Sequence, residues 1–236
     1  MNQSPGRVVE PELLDELPPQ DPRAIRSRRD LRLLNFGMGH LGIMARALSE
    51  HLRNSTRPRI VELGAGDGYF LLRVARRLRT KWPAAEATLV DRLNSFHPGI
   101  RDRFNTLGWS VRTEIKTASE WFQQPNPETA DAIICNLFLH QFRPEELGEM
   151  LRLASRCTRL FIALEPRRSQ PSRLGGKLLW MIGCGPVTRH DAGISIRAGF
   201  NGTELSAIWP DDKNWILTEH SAGLFSHLFI ARRKES

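Results

Sequence analysis

Residues Arg59 to Phe70 read Arg-Ile-Val-Glu-Leu-Gly-Ala-Gly-Asp-Gly-Tyr-Phe, an apolar run that passes into closely spaced glycines and then into a helical pattern. Such a segment forces a strand, a tight turn and a helix into immediate succession. Glycines make the turn, let the backbone approach a ligand, and let the helix pack closely on its strand. A nucleotide-like cofactor is expected there. The spacing runs from an acid, Glu62, to Gly64, Gly66 and Gly68 at every second position, with Ala65 and Asp67 between them. Pyrophosphate binders use a two-then-three spacing instead. Glu62 and Asp67 would repel a pyrophosphate at the helix start, whereas they suit a ligand carrying a positive amino group. NAD is therefore disfavoured.

Two further signals lie downstream. Ala87-Thr88-Leu89-Val90-Asp91 reads as a short buried strand ending in a carboxylate, the place from which an acid accepts hydrogen bonds from ribose hydroxyls. Taken alone, Asp91 reads equally well as a helix cap. Asp131 to His140 is a buried strand entering a polar and aromatic turn, Asn136-Leu137-Phe138-Leu139-His140. Together these residues resemble the class I S-adenosylmethionine-dependent methyltransferases over Arg59 to Glu165, with Val61 to Gly68 similar to the family's first motif and Asp91 to its post-glycine acid. The resemblance implies S-adenosyl-L-methionine as cofactor, held by Glu62, Gly64, Ala65, Gly66, Asp67, Gly68, Asp91, Asn136 and Leu137. Where family members often carry an acid facing adenine, this sequence has Lys116-Thr117-Ala118-Ser119.

The chain of 236 residues fits one domain with a full core. Its three cysteines, Cys135, Cys157 and Cys184, have neither zinc-site nor disulfide-framework spacing, so reduced core thiols and no metal are expected. The first residues lack a basic-then-apolar signal and no apolar run is long enough to span a bilayer, so a cytoplasmic location is expected. A net charge of +8 invites a nucleic-acid reading. The cations, however, are mostly arginines scattered over every predicted helix, without an aromatic stacking ladder, and a solvated surface is favoured. The densest patch, Arg23, Arg26, Arg28, Arg29 and Arg32, suits water or transient contact with an anionic membrane surface.

Residues 1–20, rich in proline and acids, read as a flexible tail ahead of a single domain over 21–236. Asp21-Pro22 signals a helix start, and two N-terminal helices are expected over 21–55 with a break near Gly37 and Gly39. The cofactor-binding core is expected over 58–165. There, strands at Ile60–Leu63, Ala87–Asp91, Ser110–Thr113, Ala132–Asn136 and Leu160–Leu164 alternate with helices over Tyr69–Lys81, Pro98–Leu107, Ala118–Phe122 and Pro144–Arg156. That alternation predicts an α/β, Rossmann-like doubly wound sheet, mostly parallel. Residues 166–212 read as a substrate-side insert with helices, its apolar stretch Leu174 to Cys184 fitting a lid or ordinary core. A C-terminal hairpin over 213–236, turning at Ser221-Ala222-Gly223, suits an antiparallel final strand similar to the family's.

Candidate catalytic residues are His140, His190 and Asp191. Bacterial quinone and small-molecule methyltransferases have a turn similar to Leu137-Phe138-Leu139-His140, and a histidine there can accept a proton from a hydroxyl. The alternative, somewhat favoured, is a histidine packed or hydrogen-bonded beneath the cofactor. His190-Asp191 reads either as a pair that orients a substrate hydroxyl or as a helix cap. Glu165-Pro166-Arg167 and Thr188 to Phe200 resemble methyltransferases of polyketide and quinone-like phenols. The turns by which base-amino and arginine methyltransferases are known have no counterpart. Methyl transfer to a small, apolar, hydroxylated and phenolic acceptor is the leading expectation. An RNA methyltransferase using the arginine-rich N-terminal helix and a non-catalytic cofactor-binding scaffold are its competitors. Oligomeric state is not legible.

Overall fold

Strands that are apolar at consecutive positions need cover on both faces, and the central strands have that pattern. The computed structural model describes residues 6–124, 129–177, 179–210 and 212–234. Its strands are β1 (Arg59–Leu63), β2 (Ala85–Asp91), β3 (Trp109–Ile115), β4 (Ala132–Asn136), β5 (Leu160–Pro166), β6 (Trp215–Ala222) and β7 (Ser226–Arg233). The helices are α1 (Leu13–Glu16), α2 (Pro22–Gly37), α3 (His40–His51), α4 (Tyr69–Leu78), α5 (Ile100–Asn105), α6 (Ala118–Phe122), α7 (Pro144–Cys157), α8 (Gln170–Lys177), α9 (Pro186–Ala198) and α10 (Glu204–Ile208).

The sheet has seven strands in the order β3-β2-β1-β4-β5-β7-β6. Strands β1 to β5 pair in parallel, and β7 lies antiparallel between β5 and β6. Side chains alternate between two cores. Ile60, Ile134 and Ile162 join Met44, Leu72 and Phe104 of α3, α4 and α5 on one face. Val61, Ile133 and Phe161 join Trp121, Leu151 and Leu205 of α6, α7 and α10 on the other. This is the expected doubly wound sheet, mostly parallel with antiparallel C-terminal strands. The chain winds from β1 out to β3 and then crosses to β4, so the switch in winding direction falls between β1 and β4, where open α/β sheets bind ligands.

Asp21 caps α2 by accepting a hydrogen bond from the Arg23 N–H at 2.8 Å. Gly39, at φ 73°, makes the break before α3. The final turn sits later than expected: β6 runs through Ala222, which pairs with Ser226, so Gly223 to Phe225 form the loop. A three-residue hairpin loop needs a left-handed residue, which Gly223 supplies at φ 77°. Helices α1, α9 and α10 carry weak or mixed periodicity and were not expected individually.

The segment expected to be a loosely ordered tail is, over residues 6–20, laid against the body. The Arg7 guanidinium donates to the carbonyls of Ala198, His140 and Phe142, at 2.8, 3.2 and 3.1 Å. The Asp191 carboxylate accepts from the Leu13 and Leu14 N–H groups at 2.9 and 3.0 Å, holding the start of α1. Composition suggested disorder because few residues there are apolar; polar anchors hold the strap instead. Residues 1–5, and Leu178 of the apolar insert, lie outside the described residues. No described helix is long and apolar enough to cross a membrane.

Candidate active site

Three loops converge at the carboxyl edge of the sheet. After β1, Gly64, Gly66 and Gly68 adopt φ values of 69°, 55° and 80°, a left-handed path that other residues resist. At Gly64 contact adds to conformation, since a Cβ there would stand 2.2 Å from the Phe138 ring. At Gly66 a Cβ would meet nothing within 4 Å, so this turn faces open chamber. The Asp91 carboxylate, at the tip of β2, accepts from the Gly66 N–H at 2.8 Å and from the Leu93 N–H at 2.9 Å. It therefore locks the glycine turn to β2. After β4, Leu137 has φ 55°, the one left-handed non-glycine among the described residues, a strain of the kind stored at functional sites.

Glu62, on β1, is buried. Its carboxylate takes a hydrogen bond from the Leu71 N–H in the first turn of α4, while Oε2 has no partner. Burial, with Asp67 and Asp91 adding repulsion, raises its pKa well above the ordinary carboxylate value. Burial likewise raises Asp67 and Asp91. Three carboxylates framing one glycine turn, one with an orphaned oxygen, make a site whose electrostatics call for a cation. Glu62, Gly64, Ala65, Gly66, Asp67, Asp91, Asn136, Leu137 and His140 line one cavity of about 910 Å³, so the structure brings these expected residues together. Gly68 instead packs beneath the turn, where a Cβ would stand 2.9 Å from Leu89. Lys116 to Ser119 line the same cavity.

Asn136 belongs to a buried polar chain. His40 Nδ1 lies 2.7 Å from Asn136 Oδ1 and His40 Nε2 2.6 Å from Ser226 Oγ, while Asn136 Nδ2 donates to Asn35 Oδ1 at 3.0 Å. Burial lowers the His40 pKa to about 4, against the opposing Asn136 hydrogen bond, so the imidazole is neutral and positions Asn136.

His140 is differently placed. Its Nδ1 lies 2.7 Å from Glu165 Oε2 and its Nε2 3.2 Å from Glu12 Oε1. Burial would lower its pKa, but hydrogen bonds and charge from Glu12 and Glu165 raise it to about 10. An imidazolium with both nitrogens engaged has no lone pair for a substrate proton. Glu165 also accepts from the N–H groups of Phe138, Leu139 and His140, fixing the turn after β4. Glu12 is further held by Gln141 Nε2 at 3.2 Å and by the Ser195 hydroxyl. His190 is exposed and outside the cavity lining; its Nδ1 meets Asp191 Oδ1 at 3.0 Å. Asp191 touches the cavity but its carboxylate caps α1. The geometry therefore favours the cap over the catalytic pair.

Glu12 escaped the sequence reading, whereas Glu165 and the segment ending at His40 stood in it without an individual site role. Glu165 had one usable signal, a charge inside an otherwise apolar strand. Glu12 had none, because only folding carries it to His140. Among the described residues no group of His, Cys, Asp or Glu is placed to hold a metal ion.

The strand order, the reversed C-terminal hairpin and the acid-framed glycine turn at the switch point resemble those of the class I S-adenosylmethionine-dependent methyltransferases. Residues 60–160 match the family model of the methyltransferase domain. No curated protein matches the chain. Among solved structures, an O-methyltransferase family protein from Burkholderia thailandensis is similar with a TM-score of 0.60 at 19% identity, over 92% of this chain and 61% of that one. The plantazolicin methyltransferase in complex with SAH gives 0.66 at 12% identity, over 91% and 92%. Magnesium protoporphyrin IX methyltransferase from Synechocystis PCC 6803 with bound SAM gives 0.55 at 14%, over 88% and 84%. The chain thus spans less than two thirds of the Burkholderia protein and most of the other two. At such identities the likeness is one of fold.

Proposed function

We propose that this chain transfers a methyl group from S-adenosylmethionine to the oxygen of a small, largely apolar, phenolic acceptor. The observation that carries the reading is the cavity of about 910 Å³, large for a small-molecule site, lined both by the carboxylates of the glycine turn and by apolar side chains of α2, of Leu179 and Ile182 just after α8, and of Phe225 at the hairpin tip. In this reading residues 58–165 form the cofactor core and 166–212 the acceptor side of a single domain over 21–236. The Glu62 oxygen would meet the cofactor's amino group, Asp91 its ribose, and Lys116 to Ser119 its base, with Asn136 and Leu137 forming the floor. When bound, the sulfonium supplies an electrophilic methyl group. The chain then needs only to hold an acceptor oxygen in line and exclude water.

His140 acts in this scheme as a positioning residue, because Glu12 and Glu165 occupy both nitrogens. An acceptor that ionises by itself suits such a site. A phenol, with a pKa near that of tyrosine at about 10, loses its proton to water far more readily than an alkyl alcohol. The RNA reading loses support from its own patch: Arg28 donates to the Pro19 carbonyl, and Arg32 lies 3.6 Å from Asp67 and over the Tyr69 ring.

Incubation with methyl-labelled cofactor and cell extract tests the proposal. Label is expected in the organic-soluble, small-molecule fraction. Label in RNA or protein would overturn it, and cofactor affinity without any turnover would point to a scaffold.

A further inference from the structure

The outer rim of the chamber carries large apolar side chains in the open. Leu33 and Phe36 of α2, Trp180, Met181 and Ile182 of a short turn after α8, and Leu224 at the hairpin tip are each between 57% and 64% exposed. They surround one opening: Leu33, Ile182 and Phe225 line the same cavity from these elements. Arg26 Nη2 donates to the Gly183 carbonyl at 3.0 Å, tying α2 to the turn. Gly175 of α8 lies against the Phe225 ring, where a Cβ would stand 2.9 Å away.

Cations stand around this opening. Arg26, Arg29, Arg173 and Arg189 are exposed, and Arg26 and Arg189 flank Cys184, just past the turn. The acid nearest them, Asp30, is engaged by the Gly185 N–H and the Thr188 hydroxyl at 2.8 and 2.9 Å. Apolar side chains projecting from separate tips, with arginines beside them, match the composition of an interfacial lipid-binding surface. A protein partner would be served by a groove. These side chains stand exposed on three separate elements, α2, the turn after α8 and the hairpin, and a deformable bilayer accommodates them without one.

We propose that this rim docks on an anionic lipid bilayer, which opens the chamber directly to the membrane. That the phenolic acceptor enters from lipid rests on the methyl-transfer reading, but docking itself needs no turnover, so the two fail separately.

The test is sedimentation of the full chain with vesicles of phosphatidylcholine alone or mixed with phosphatidylserine. Binding is expected to the mixed vesicles, about tenfold tighter than to phosphatidylcholine and weakened by salt. The double variant Trp180→Ser/Met181→Ser, whose changed side chains do not line the cavity, should lose about tenfold in affinity. Arg29→Glu/Arg173→Glu should remove the preference for anionic lipid while keeping the native melting curve. Failure of the wild-type chain to sediment, equal binding to both vesicle types, or full binding by the serine variant would each overturn the proposal. So would sedimentation equilibrium showing a dimer that the serine variant dissolves, since a second copy would then cover the rim.

Discussion

At Gly66 the backbone and the chamber demand the same thing. A side chain there pays about 1–2 kcal/mol for the left-handed conformation, which a domain of this size survives, but it projects into space that a ligand would use. Gly66→Arg is therefore expected to abolish S-adenosylmethionine binding by calorimetry while circular dichroism still reports a folded domain; retained affinity would refute the placement. Glu62 makes a finer test. Because its carboxyl is pushed up by burial, the folded state binds a proton that the unfolded state has released above its ordinary value of 4.5, so ionisation costs stability as pH rises from there. Glu62→Gln removes that cost. The variant should melt no lower than wild type without ligand, yet bind the cofactor about 10- to 100-fold more weakly, the worth of one charged hydrogen bond. An unchanged Kd would mean that the orphaned oxygen meets no ammonium.

The strap over residues 7–16, the turn after β4 and the end of β5 are joined by Glu12, His140 and Glu165 rather than by an apolar seam. Glu12→Ala would leave the His140 imidazolium with one carboxylate instead of two, at a cost of about 1–3 kcal/mol, readable as a lowered Tm. The pH dependence has a defined sign. His140, raised from 6.5 to about 10, contributes stability that is complete below 6.5 and lost as pH climbs toward 10. His40, lowered to about 4, works at the other end: the unfolded chain gains a proton that the folded one refuses, so stability falls as pH drops from 6.5 toward 4. Melting curves across this range should show a maximum near neutrality, with the alkaline limb flattened in His140→Gln. A limb of unchanged slope would show that the imidazolium carries no such load.

For the molecule as a whole, ligand and fold are linked. S-adenosylmethionine at a hundredfold excess over its Kd should add about 2.7 kcal/mol, or about 5 to 10 °C in Tm for a chain of this length. NAD should add nothing; equal shifts would undo the argument from the acid-framed turn. Most of this architecture was legible in the linear order of residues, because strand, glycine turn, helix and apolar alternation are written within short windows and obey local geometry. β1, α4, α6 and β4 begin or end where their punctuation stands, and Asp91 came to the glycine turn because parallel neighbours align their carboxyl ends. What sequence alone left open was everything joined across long separations. Whether His140 faces a substrate or two carboxylates depends on Glu12, far away in the chain; whether Asp191 works with His190 or caps α1 depends on where the strap lies; whether Trp180 is core or rim depends on what α2 and the hairpin leave uncovered. Periodicity records which side of an element is apolar, whereas the pairing of polar groups is decided only when folding brings those elements together.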